Sequence, residues 1–157
     1  MCAATLSPAL AEARTRNLWA TVNVCDTKAH PNMMGVRARM PGDGTRKRMW
    51  MRFTAQYRTR SGWSTVAGKG RSRWLYAGSA LFRYQELGYT FRFTAPPKGR
   101  SYLMRGLVQF QWRARRHRNG RIVTVVVRRA RRYTEGGHRS RGADPPGYSA
   151  ARCRISS

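Results

Sequence analysis

The sequence predicts an all-β domain, an antiparallel β-sandwich of about eight strands with one long-range disulfide. Three observations carry this. Apolar and polar residues alternate with period two through much of the chain, while the period of an amphipathic helix is almost absent. Glycine, proline and asparagine clusters separate the alternating runs at the spacing of short strands. Two cysteines, Cys25 and Cys153, sit in alternating segments near the two ends. Length and composition agree, since 157 residues make one domain with a sizeable core. A hydrophobic share of 41% is too high for a disordered chain, even with a net charge of +26. No apolar run approaches the roughly 18 residues of a membrane helix, so no membrane-spanning segment is expected.

The chain opens "MCAATLSPALAEARTR". Ala9-Leu10-Ala11 before Glu12 has the A-x-A pattern of signal-peptidase cleavage, although a basic n-region is missing. A start codon lying inside a longer signal peptide reconciles the two; the alternative is an alanine-rich tail. Residues 1–14 are read as a signal-peptide remnant or flexible tail, and residues 15–157 as a single sandwich domain. Export would remove Cys2 and leave Cys25 and Cys153, which an exported chain most simply pairs. Two independent buried thiols are the other reading.

The first strand is placed at 18–25 and the second at 34–40. In "MWMRFTAQY" Met49, Met51, Phe53, Ala55 and Tyr57 share one face, and Trp50, Arg52, Thr54 and Gln56 the other. A strand follows at 72–80. "GYTFRFTA" then turns Tyr89, Phe91 and Phe93 inward and Thr90, Arg92 and Thr94 outward. The next two, 101–115 and 121–130, flank Asn119-Gly120, a pair suited to a two-residue type I′ turn. That turn sets Arg118 against Arg121, Arg116 against Val123, Ala114 against Val125 and Trp112 against Val127. Val108, Phe110, Trp112, Val123, Val125 and Val127 then line the core together. Beyond Arg128 the same phase would bury Arg129 and Arg131, so the pairing should end or bulge there. Residues 134–149 form a long connection expected to present a contact surface. The last strand is expected at 149–155, with Ala151 and Cys153 opposite Arg152 and Arg154.

The charge has two sources. Of 32 basic residues only Lys28, Lys47, Lys69 and Lys98 are lysine, so 28 are arginine, a skew that fits a GC-rich genome. Codon usage does not explain why only Glu12, Asp26, Asp43, Glu86, Glu135 and Asp144 oppose them. The positive field therefore points to an anionic partner: a cell-surface polymer, lipid headgroups or an acidic protein. Arg113, Arg115, Arg116, Arg118 and Arg121 cluster around the hairpin and are the candidate anion-binding residues, since guanidinium holds phosphate or carboxylate bidentately. The second reading is a nucleic-acid-binding protein that puts these arginines on phosphates and uses Trp50 and Trp74 as stacking platforms. A solvated arginine surface with no dedicated ligand is the plain alternative.

Catalysis has little to stand on. Six scattered acids give no sign of a paired-carboxylate site, and no G-x-S-x-G nucleophile elbow occurs. His30, His117 and His138 are isolated, so no metal site is expected, and "GKGRS" lacks the spacing of a phosphate-cradling loop. No catalytic residues and no cofactor are assigned.

"LWATVNVCDT", "MWMRF" and "GADPPGYSAARCRIS" together resemble secreted bacterial immunoglobulin-like or fibronectin-III-like modules. More narrowly, they are similar to a group of uncharacterised exported proteins from high-GC bacteria, over most of residues 17–156. The resemblance implies an immunoglobulin-like sandwich and a secreted or cell-surface location, and it brings no activity with it. The two cysteines lie farther apart than in antibody-type domains, and no tryptophan-centred cysteine pair is present.

Overall fold

In a computed structural model that describes residues 16–157, the alternating runs become nine strands among the described residues. They are β1 (Trp19–Cys25), β2 (Met33–Pro41), β3 (Arg48–Thr59), β4 (Gly62–Thr65), β5 (Leu75–Ser79), β6 (Tyr84–Arg92), β7 (Ser101–Arg118), β8 (Arg121–Tyr133) and β9 (Cys153–Ser156). The Ala9–Ala11 cleavage pattern and Cys2 lie outside the described residues. All strand pairs are antiparallel and form a β-sandwich. One sheet has the order β1-β2-β6. The other runs β4-β3-β7-β8, with β5 also on β3 and β9 also on β7.

Two-sided alternation builds the core. Val22, Met34, Val36 and Phe91 face in from the small sheet; Met49, Met51, Phe53, Val108, Phe110 and Trp112 face in from the large one. Cys25 of β1 and Cys153 of β9 are joined, their Cα atoms 5.4 Å apart, so a covalent bond links the two sheets. The pairing expected from the sequence is therefore present. The C-terminal segment serves both layers. Ala150 exchanges backbone hydrogen bonds with Val22 of β1, and three residues later Cys153 pairs with Met104 of β7. This crossover corrects the expected last strand, which starts at 153, leaving Ala151 exposed.

The β7–β8 hairpin keeps the expected register from Arg118/Arg121 to Ala114/Val125. Its bulge comes one step early. Trp112 pairs with Arg128 and Arg113 with Val126, so Val127 is the extra residue and is exposed, not a core residue opposite Trp112. Val123 and Val125 are only half-buried, because the hairpin outruns the small sheet that would cover them. The slip turns Arg129 and Arg131 outward and brings Arg128 to the inner side, where its guanidinium covers the Trp112 ring at 4.2 Å. Tyr57, expected inside, is also exposed at the far end of β3. Residues 134–150 are not a free contact loop. Their backbone bonds Ala20, Val22 and Asn23 along the open side of β1, while His138 stacks on Trp19 at 4.7 Å.

Candidate anion-binding face

The outward residues of β3 and β7 lie side by side in the register Arg48/Arg113, Trp50/Gln111, Arg52/Gln109, Thr54/Leu107 and Gln56/Arg105. Alternation alone puts these residues on the outer side of the sheet, where Thr54 is buried beneath the Arg71 segment, and lateral pairing makes them a lattice. In three of the arginines the Nε–H donates to a glutamine Oε1: Arg52 to Gln109 at 3.0 Å, Arg105 to Gln56 at 2.8 Å, and Arg113 to Gln111 at 2.9 Å. The same guanidiniums lie over aromatic rings. Arg113 covers Trp50 at 4.5 Å, Arg52 covers Trp74 at 4.6 Å, and Arg105 sits over Trp63 at 4.3 Å and Tyr133 at 3.9 Å. Each such contact contributes about 0.5–2 kcal/mol, more as water is excluded. Burial holds the Arg113 and Arg105 guanidiniums somewhat below the usual arginine range, and for Arg105 the nearby Arg152 and Arg58 add to this while Tyr133 opposes it. Both stay cationic at neutral pH.

The two outer faces differ in how their charge is answered. On the small sheet Arg39 lies between Trp19 and Tyr84 and pairs with Glu86, with Arg37 nearby. On the large sheet no acidic side chain of the described residues stands among the arginines. The described acids are engaged elsewhere: Asp43 with Lys47, Glu86 with Arg39, Glu135 with His138, Asp144 with Thr27, and Asp26 with the backbone N–H groups of Asn32 and Ser156.

At one end of this face a cleft of about 500 Å³ opens between the β2–β3 loop and the turn-side half of the β7–β8 hairpin. Its charged lining is Arg46, Lys47, Arg48, Arg113, Arg115 and Arg116. Three of the five candidate anion-binding arginines, Arg113, Arg115 and Arg116, therefore come together, whereas Arg118 and Arg121 pair at the hairpin tip and do not line the cleft. Sequence reasoning missed Arg46, Lys47 and Arg48. The signal was present in "TRKRMW", a basic run entering a strand that could have been weighed beside "RARRHR". Trp50 and Trp74, considered as bare stacking platforms, carry guanidiniums.

The loop that forms one wall is tightly held. Gly42 starts it because a Cβ there would lie 1.8 Å from the Phe82 carbonyl oxygen and 2.6 Å from that of Ala80. The N–H groups of Asp43 and Gly44 both donate to the Ala80 carbonyl. Partial burial opposes ionisation of Asp43, but hydrogen bonds from Lys47 Nζ and from the hydroxyl and N–H of Thr45 outweigh it, so its carboxyl titrates below the ordinary 3.8. A carboxyl depressed by folding contributes fully above its unfolded pKa, and that contribution is lost as pH falls through the folded value. A carbon-13 titration of Asp43 is expected to give a midpoint below 3.8. A midpoint at or above it would mean the loop is not tied in this way.

Among the described residues no three of His, Cys, Asp and Glu gather to hold a metal ion, and no helix is long and apolar enough to cross a membrane. No protein-family model matches this chain, and no curated protein is significantly similar to it.

Proposed function

We propose that this protein is an exported, non-enzymatic binding module, of the secreted immunoglobulin-like kind, that uses the outer face of its large sheet to hold an anionic partner at the cell surface. The observation that carries this is the arginine lattice with no acid of the described residues in it. Guanidiniums fixed by glutamine and aromatic neighbours need little ordering on binding, so more of their attraction appears as affinity. The Cys25–Cys153 bond supports export, since such bonds persist in oxidising compartments. A polymer read through its charges suits this face better than stacked bases do, because Trp50, Trp63 and Trp74 already carry arginines.

The test is titration with a polyuronate, a glycerol-phosphate polymer, a single-stranded oligonucleotide and phosphatidylglycerol vesicles over a range of salt. For the polymers, log affinity is expected to fall linearly with log salt, by roughly 10³-fold between about 50 and 200 mM where about six contacts form. Tightest binding by the oligonucleotide would replace this reading with the nucleic-acid one. Absence of binding to all four near physiological salt would remove it.

A further inference from the structure

The geometry points to the cleft of Arg46, Arg48, Arg113, Arg115 and Arg116 as a seat for closely spaced phosphate groups; this rests on the polyanion reading and names the chemistry recognised. Lys47, the sixth cation, is answered by Asp43 at 2.6 Å. The five guanidiniums have no acidic partner among the described residues. Their arrangement also opposes folding. Arg48 and Arg113 stand directly opposite on neighbouring strands, where like charges destabilise a sheet. An anion lodged between them removes that repulsion, so the bound state gains what the free state lacks.

Three features favour phosphate over carboxylate. First, the lining draws its cations from two parts of the fold, Arg46 and Arg48 on the β2–β3 side and Arg115 and Arg116 on β7. A carboxylate offers two oxygens in one plane, whereas a phosphate spreads its oxygens tetrahedrally and can meet guanidiniums on opposite sides. Second, five positive charges within one cleft are poorly offset by an isolated anion and well offset by adjacent phosphates. Third, Thr124 on β8 adds a hydroxyl to the same lining. Two of the guanidiniums are ordered by neighbours at the edge of the cleft: Arg113 is held by Gln111 and Trp50, and Arg48 lies over Tyr76 at 5.3 Å.

The other clefts lack this character. The one beside Arg37 and Arg39, with Arg139 and Arg141 also in its lining, differs in containing Glu86, which pairs with Arg39. The one between Tyr57, Phe93 and Tyr102 is apolar.

The experiment titrates the oxidised protein with inorganic pyrophosphate and with citrate, which carry nearly the same charge at pH 7. Pyrophosphate is expected to bind about tenfold tighter than citrate, the worth of one added charge-assisted hydrogen bond. Removing two exposed cleft cations (Arg46→Ala with Arg115→Ala) should cost at least about tenfold, while Arg118→Ala with Arg121→Ala, the same charge taken from the tip, should cost only about twofold. Unchanged melting temperatures establish that both pairs fold. Pyrophosphate should also displace the glycerol-phosphate polymer, which identifies a polymer source, or phosphatidylglycerol vesicles, which identifies a lipid one. Equal affinity for citrate, equal losses in the two pairs, or displacement of neither would overturn the phosphate seat and leave the polyanion reading intact. Failure of the wild-type protein to bind any of the four polyanionic probes would instead remove that reading.

Discussion

Replacing Cys25 and Cys153 together with alanine is expected to lower the free energy of unfolding by about 4–5 kcal/mol, the chain-entropy cost released by opening a loop of this length. The separation of 128 residues makes the loop nearly the whole domain. The bond also joins different sheets. Without it, β1 is held by β2 and by the backbone of Glu135, Asp144 and Ala150, and β9 by four residue pairs with β7. Urea unfolding of the oxidised and alanine forms measures the difference, and the slope of the transition checks that the denatured chain expands when the link is gone. A difference below about 1 kcal/mol would show that packing alone holds the two ends in register.

Trp112→Ala is expected to cost about 3–5 kcal/mol, the range for emptying a buried aromatic site. The ring is fully buried in the large sheet, its Nε1–H donates to the Pro41 carbonyl at 3.0 Å, and Arg128 covers it. Trp112→Phe separates the contributions. It keeps much of the packing but leaves the Pro41 carbonyl unanswered, for about 1–3 kcal/mol. Pro41 ends β2 immediately before the loop that walls the cleft, so this milder change should also weaken pyrophosphate binding. Thermal unfolding followed by calorimetry checks the stability loss, and equal losses for alanine and phenylalanine would assign the whole effect to the hydrogen bond.

Strand identity was legible because one buried face imposes period two on the sequence, as in Met49, Met51, Phe53 and Ala55. The hairpin register followed from Asn119-Gly120, and the need for a bulge followed from Arg129 and Arg131. Its position did not, because the sequence cannot say that arginine is tolerated on the inner side of an edge strand when it has an indole to cover. β4 escaped notice for a different reason, since four residues are too few to display alternation. The arginine lattice depends on lateral pairing: Arg52 and Gln109 are 57 residues apart and meet only because β3 and β7 are neighbours. The cleft was half legible. The hairpin arginines were visible as a cluster, but nothing local in "TRKRMW" says which strand end it will face.

The open side of β8 has a consequence for how copies of this protein meet one another. β8 is thirteen residues long and ends the large sheet, with no strand on its far side among the described residues. Such an edge is a template on which a second molecule could zip. Here Arg121, Arg128, Arg129, Arg131 and Arg132 stud its length, so two copies aligned edge to edge would set arginine rows side by side. Mutual repulsion along the arginine-rich strand thus opposes such pairing, without a proline or a covering helix on that edge.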